Sequence, residues 1–90
     1  MKTLNIVYSE TAVKQLKRIA KGDRKSAAMI IESIESYASA PSAGHDIKVL
    51  KGKLGTFKRL RSGNYRIIFD EKGCVMYIYE VKHRQEAYND

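Results

Sequence analysis

The chain has 90 residues, of which 43% are hydrophobic and 30% are charged, and its formal net charge is +7. This length allows one domain, residues 1–90, with a single modest core, and we expect no second folded unit. The composition is typical of a folded globular protein, and the excess of cations favours an anionic partner such as nucleic acid.

The first half of the sequence predicts one strand and two helices. Residues 3–8 are apolar and β-branched, as is typical of a strand. A helix is predicted from Ser9 to about Ala20 and a second over 24–38, because Ser9 and Asp23 are both good helix N-caps. Apolar residues recur at helical spacing in both segments, so the two helices form an αα-hairpin. These residues are Ala12, Val13, Leu16, Ile19 and Ala20 in the first helix, and Ala27, Ile30, Ile31, Ile34, Tyr37 and Ala38 in the second.

The second half of the sequence has the period of two that indicates strands. Strand composition covers 46–51, 56–61, 64–70 and 74–82, and short glycine-containing turns between the later segments predict hairpins. Residues 46–51 fit either a strand or a loop. We therefore predict an α+β fold, in which a small antiparallel sheet of three or four strands, plus the N-terminal strand, packs against the N-terminal αα-hairpin.

Seven cations and no acid lie between Asp46 and Asp70. They are Lys48, Lys51, Lys53, Lys58, Arg59, Arg61 and Arg66. Strand alternation places Phe57, Arg59 and Arg61 on one face and Lys58 and Leu60 on the other, with Arg66 opposite Arg61 across a hairpin. Arginine side chains suit phosphate groups because the guanidinium donates two parallel hydrogen bonds. This patch predicts a nucleic-acid site, and a solvated or protein-binding face is the alternative.

The last predicted strand runs directly into His83 and Arg84, and Tyr88 follows. Taken singly, His83 fits a surface histidine, Arg84 a surface cation and Tyr88 a packing residue. Together with Arg61 and Arg66 they supply the groups for metal-free RNA cleavage by the 2′-hydroxyl: an acid or base, cations for the phosphorane, and a hydrogen-bonding phenol. The sequence predicts that these five side chains converge around one ribose-phosphate linkage.

Other chemistries have less support in the sequence. The second histidine, His45, lies in a loop without a Cys/His cluster or paired carboxylates, so we expect neither a metal site nor a cofactor. The glycines do not form a phosphate-binding loop, and no nucleophile motif is present. No segment fits a secretory signal or a membrane span, and the lone Cys74 cannot form an internal disulfide. We therefore expect a cytoplasmic protein with no membrane partner, in which Cys74 packs in the core.

Two segments together resemble the RelE/ParE superfamily of toxin–antitoxin toxins. They are KVLKGKLGTFKRLRSGNYRIIFD and VMYIYEVKHRQEAY. The resemblance includes Leu50-Lys51-Gly52, the run from Phe57 to Ile68, and the run from Val75 to Tyr88. It implies a RelE-like fold and, in the RelE branch, cleavage of mRNA in the ribosomal A site without metal. It also implies a cognate antitoxin, acidic or amphipathic, that wraps the toxin.

The resemblance carries roles to particular residues. It implies catalytic roles for Arg61, Arg66, His83, Arg84 and Tyr88. It implies RNA or ribosome binding by Lys51, Lys53, Lys58 and Arg59. Two alternatives stay open: a ParE-like inhibitor of DNA gyrase without nuclease activity, and an inactive member that only binds nucleic acid or antitoxin. The His-Arg pair followed by Tyr88 favours the nuclease, which would inhibit translation.

Overall fold

The computed structural model describes residues 3–52 and 55–86, which form two helices and five strands. The elements in chain order are β1 (Asn5–Tyr8), α1 (Glu10–Gly22), α2 (Arg24–Ser39), β2 (Ile47–Gly52), β3 (Gly55–Ser62), β4 (Tyr65–Lys72) and β5 (Val75–His83). The predicted α+β class and the helix pair before the main sheet are confirmed. The segment that fitted a strand or a loop is the strand β2.

The five strands form one mixed sheet in the order β1-β5-β4-β3-β2. Strands β2 to β5 pair antiparallel with their sequence neighbours, and β1 pairs parallel with β5 at the other edge. The helix pair connects β1 to β2 at the opposite edge of the sheet. The β1–β5 edge is therefore parallel, although the hairpins from β2 to β5 are antiparallel.

Both helices begin at the predicted caps. The Ser9 hydroxyl accepts a hydrogen bond from the Ala12 N–H at 2.9 Å and donates one to the Tyr79 carbonyl at 2.7 Å, so the cap of α1 is tied to β5. Asp23 accepts hydrogen bonds from the Ser26 N–H and hydroxyl at 3.0 and 2.6 Å. These bonds favour the ionised carboxylate, so the pKa of Asp23 is lowered.

The core lies between the helices and one face of the sheet. Its largest fully buried side chains are Ile30, Ile34, Ile67, Phe69, Met76 and Ile78. Two residues of the predicted helical stripes lie outside it, since Val13 and Ile31 are 37% and 39% exposed. The prediction of a buried Cys74 is also wrong: Cys74 is exposed before β5, where its carbonyl accepts a hydrogen bond from the Asn5 N–H. Among the described residues, no helix is long and apolar enough to cross a membrane.

A polar network is enclosed between α2 and the sheet. The Tyr37 hydroxyl donates a hydrogen bond to Glu71 Oε1 at 2.7 Å, and Lys58 Nζ lies 3.3 Å from the same oxygen. The Tyr37 ring also makes edge contacts with His45 and Phe69, each with centroids 5.0 Å apart. Burial raises the pKa of Tyr37, and the hydrogen bond to Glu71 raises it further because the phenol must stay protonated to donate.

Candidate nucleic-acid interface

The face of the sheet turned away from the helices, here called the open face, carries three cations on one rung. Arg61 of β3 is the cross-strand partner of Arg66 of β4, and Arg66 is the partner of Lys82 of β5. Directly paired residues in antiparallel strands point to the same face, and neighbouring strands lie about 4.8 Å apart. Arg61, Arg66 and Lys82 therefore form a continuous cationic row across three strands.

The next rung of the open face adds two further cations. Lys48 of β2 pairs with Arg59 of β3, and this rung continues through Ile68 to Glu80 of β5. Residues two apart along a strand are roughly 7 Å apart, so Arg59 and Arg61 stand side by side. The predicted placement of Arg59 and Arg61 on one face, with Arg66 opposite Arg61, is confirmed.

The cations differ in how far they reach solvent. The Arg61 side chain is 53% exposed, whereas that of Arg59 is 8% exposed. Arg66 is buried, and its Nη1 donates hydrogen bonds to the carbonyls of Gly63 and Tyr65 at 3.1 Å each. Arg61 is therefore the guanidinium best placed to meet a ligand directly, while Arg59 and Arg66 supply positive potential from below the surface.

Two carboxylates border these cations. Asp46 precedes β2, and its Oδ1 and Oδ2 lie 3.7 Å from Arg59 Nη2 and 3.8 Å from Arg61 Nη1. At the other end of the row, Glu80 Oε2 lies 3.6 Å from Lys82 Nζ. Asp46 and Arg61 also border a groove of about 350 Å³ that extends to α2. The cations of these two rungs thus have an acid at each margin.

Aromatic side chains lie beside the cations on the open face. Phe57 and Tyr79 make an edge contact with ring centroids 5.4 Å apart. Tyr77, two residues before Tyr79, is 36% exposed. Rings beside cations are the combination used to stack unpaired bases while the backbone phosphates are bound.

His83 lies on the other side of the sheet. Its cross-strand partner is Tyr65, and the two rings are in edge contact with centroids 5.3 Å apart. Both rings line a groove of about 330 Å³ that is closed by α1 residues such as Gln15 and Ile19. The expectation that the imidazole converges with Arg61 and Arg66 is therefore wrong, because the sheet separates them.

The cause of this separation is a β-bulge in β5. Phe69 pairs with Ile78, but the preceding residue Ile68 pairs with Glu80, so Tyr79 is an extra residue. The buried positions accordingly change from Met76 and Ile78 to Val81. Strict alternation from Ile78 would have placed His83 on the open face and Lys82 toward the helices. The bulge exchanges their sides.

The other predicted residues that the structure describes, Arg84, Lys51 and Lys58, lie apart from one another. Arg84 is exposed just after β5, and its N–H donates a hydrogen bond to the Asn64 carbonyl at the tip of the β3–β4 hairpin. Lys51 is exposed near the end of β2. Lys58 pairs with Glu71 on the helix side, the face that strand alternation predicted for it, and its contact with RNA stays a prediction. Tyr88 and Lys53 lie outside the described residues.

Lys82 is a member of the row that was not predicted from the sequence. Its place in the row depends on the pairing of β4 with β5, which the local pattern of residues 74–82 does not reveal. Pairing of the hairpin strands could not have found it either, because unbroken pairing from the β4–β5 turn would set Val81 opposite Arg66. Within residues 3–52 and 55–86, no group of three or more His, Cys, Asp and Glu side chains is placed to hold a metal ion.

The sequence matches a protein family over most of its length. Residues 6–88 match the family model described as the ParE toxin of the type II toxin–antitoxin system parDE. The chain is also 33% identical over 86 residues to Toxin RelE3 of Methanocaldococcus jannaschii, an alignment that covers 96% of this chain and 97% of the relative.

Known structures show the same fold. The chain is similar to one in the RelBE2 toxin–antitoxin complex of Mycobacterium tuberculosis, with a TM-score of 0.75, 21% identity, and coverage of 96% of this chain and 97% of that one. It is also similar to a chain of the RelB-RelE antitoxin–toxin complex of Methanococcus jannaschii, with a TM-score of 0.57, 30% identity, and coverage of 88% and 91%.

Proposed function

Because this chain belongs to the ParE toxin family of type II toxin–antitoxin systems, within the RelE/ParE superfamily, we propose that it is a toxin that cleaves mRNA on the ribosome. The observation that carries this proposal is the cationic row of Arg61, Arg66 and Lys82 on the open face. A row of cations beside aromatic rings fits an RNA strand better than it fits a protein surface. Cleavage of mRNA would inhibit translation.

The proposed reaction is internal transesterification without a metal ion. The 2′-hydroxyl oxygen attacks the adjacent phosphorus and loses its proton to water. The bond to the 5′ oxygen breaks and that oxygen takes up a proton from water, so the products are a 2′,3′-cyclic phosphate and a 5′-hydroxyl. The extra negative charge on the phosphorane is what fixed cations stabilise. Arg61 contacts the phosphate in this scheme, with Lys82 further along the row and the buried Arg66 strengthening the field between them.

His83 has no part in the chemistry that we propose. Its ring faces Tyr65 on the helix side, and a strand residue cannot turn its side chain through the sheet. Arg84 is exposed beside the hairpin tip, where it can contact RNA that leaves the row. Lys48, exposed on β2, extends the open face toward ribosomal RNA, whereas Lys51, also exposed on β2, lies on the opposite face.

A cognate antitoxin is the proposed protein partner. The similar M. jannaschii toxin is found in a complex with its antitoxin RelB. A net charge of +7, together with the cationic row on the open face, favours a partner with an acidic segment. Such a segment would silence the toxin by occupying the cations that otherwise hold RNA.

Inhibition of DNA gyrase is the second candidate, because the matching family model is described as ParE. Two assays with the purified protein separate the candidates. The first adds the protein to ribosomes carrying a defined mRNA and maps new 5′ ends, with free mRNA as the control. The second measures supercoiling by gyrase. Cuts inside codons that require ribosomes support the nuclease, and inhibited supercoiling supports the gyrase inhibitor. If the protein does neither, a binding module without catalysis is supported.

A further inference from the structure

Asp46 occupies the place on the open face where a phosphate would be expected. Its two carboxylate oxygens point at different guanidiniums, 3.7 Å from Arg59 Nη2 and 3.8 Å from Arg61 Nη1. A phosphodiester likewise presents two anionic oxygens to neighbouring arginines. The carboxylate therefore stands in for a phosphate at the β2 end of the cationic row.

The contact between Asp46 and the arginines is held from the backbone. The Arg61 N–H donates a hydrogen bond to the Asp46 carbonyl at 3.1 Å, which anchors Asp46 beside β3. The side chains are not locked in the same way, because both oxygen–nitrogen distances exceed hydrogen-bond length and Asp46 is 55% exposed. The pair with Arg61, whose side chain is 53% exposed, is therefore weak and exchanges readily with another anion.

The geometry points to Asp46 as an internal competitor for RNA: its carboxylate occupies the phosphate subsite between Arg59 and Arg61, and an RNA phosphate must displace it. This inference rests on the proposed function for the identity of the ligand. It predicts that the free protein binds single-stranded RNA less tightly than the same protein would without the Asp46 carboxylate. A strand that is positioned by other contacts, such as mRNA on a ribosome, displaces Asp46 more easily than free RNA does.

The test measures binding rather than cleavage. A fluorescent single-stranded oligonucleotide with 2′-deoxy sugars cannot undergo the proposed reaction, so its affinity reports on the subsite alone. We expect Asp46→Asn to tighten binding about threefold to fivefold at low salt, the size of an exposed ion pair. The gain should shrink as salt rises, because screening weakens exposed charges. Unchanged or weaker binding would overturn the inference.

Two controls separate the subsite from general charge effects. Glu10→Gln removes one carboxylate from α1, where Glu10 pairs with the exposed Lys14, and changes the net charge by the same amount. We expect no gain from it, and an equal gain would show that only net charge matters. In an Arg61→Gln background the gain from Asp46→Asn should largely disappear, since one of the two competing cations is gone. A full gain in that background also contradicts the inference.

The outcome is distinguishable from that of the proposed function. If ribosomal mRNA is not cleaved by the wild-type protein but Asp46→Asn still binds the oligonucleotide more tightly, the nuclease proposal fails and the internal competitor stands. If the wild-type protein cleaves mRNA but Asp46→Asn leaves binding unchanged, the nuclease stands and the internal competitor fails. If neither the wild-type protein nor Asp46→Asn binds the oligonucleotide, the inference that Asp46 is an internal competitor is also overturned.

Discussion

Tyr65 and His83 face each other across β4 and β5 with their ring centroids 5.3 Å apart, on the side of the sheet that packs against the helices. His83 Nδ1 also accepts a hydrogen bond from the Gln85 N–H at 3.2 Å. These contacts give the imidazole a structural role at the end of β5. They also remove it from the cations of the open face.

We therefore predict that His83→Ala keeps its cleavage activity on ribosomes. The loss of the edge contact with Tyr65 should lower the free energy of unfolding by about 1 kcal/mol, which thermal unfolding measures. Cleavage by the folded variant should match the wild type. A loss of a hundredfold or more, the size expected for an acid or base, would place His83 back in the chemistry.

Arg61 is the exposed member of the cationic row, and its charge is expected to matter most. Arg61→Gln should reduce the cleavage rate on ribosomes by about 100-fold, because one fixed cation no longer stabilises the phosphorane. Arg24→Gln is the matched control, since Arg24 is an exposed arginine at the start of α2, in the helix layer on the other side of the sheet. Equal activity losses in the two variants would show that the row has no special role.

The Tyr37–Glu71 hydrogen bond predicts how stability responds to alkaline pH. The pKa of Tyr37 is raised in the folded state above its ordinary value of about 10, so folding favours the protonated phenol. That stabilisation is complete below pH 10 or so and is lost as the pH rises toward the higher folded-state pKa. Melting temperatures recorded between pH 8 and 11 should fall more steeply for the wild type than for Tyr37→Phe.

The pH experiment on Tyr37 needs a neutral-pH reference, and Tyr8 and Tyr77 supply its background and its control. Tyr37→Phe should cost about 1 kcal/mol of unfolding free energy at neutral pH through the lost hydrogen bond. Burial and the Glu35 charge also raise the pKa of Tyr8, so the variant should retain some alkaline sensitivity. Tyr77→Phe changes an exposed tyrosine, leaves the Tyr37–Glu71 bond in place, and should keep the wild-type profile. Parallel profiles for wild type and Tyr37→Phe would contradict the assignment.

Ser9 links the start of α1 to β5 through one hydroxyl. Ser9→Ala removes both the cap to Ala12 and the hydrogen bond to the Tyr79 carbonyl, and should cost about 2 kcal/mol of unfolding free energy. Ser9→Asp retains a capping oxygen but has no hydroxyl to donate to the Tyr79 carbonyl. Its loss of unfolding free energy therefore measures the hydrogen bond to β5. Ser9→Thr retains both bonds and should remain close to wild type in chemical denaturation. A neutral Ser9→Ala would show that neither bond contributes.

Gly63 turns the β3–β4 hairpin that presents Arg61 and Arg66. Its φ is +58°, and a Cβ there would lie 2.6 Å from the Met29 Cε, so Gly63→Ala combines backbone strain with a clash. We expect a loss of about 2 kcal/mol of unfolding free energy. Gly73→Ala, with φ +59° and no close neighbour, isolates the strain and should cost less. Equal losses would mean that Met29 simply moves aside.

Local chemistry predicted most of the elements. Helix caps at Ser9 and Asp23 and the change from helical to strand periodicity placed both helices and the C-terminal strands close to where they occur. Exposed Val13 and Ile31 were assigned to the core because periodicity records the hydrophobic face of a helix but not how wide a surface the sheet covers. The prediction that Cys74 is buried in a strand was wrong because the local composition around it fits a strand, although β5 begins one residue later.

Alternation of strand side chains was enough to predict that Arg59 and Arg61 share a face, and the short hairpin was enough to predict that Arg66 lies opposite Arg61. Which C-terminal residue joins these arginines depends on how β5 pairs with β4 in the folded sheet. The extra residue Tyr79 shifts the pairing of β5, and a shift of one residue in a strand moves every following side chain to the other face. Lys82 therefore lies on the same face as Arg61 and Arg66, and His83 lies on the face that packs against the helices.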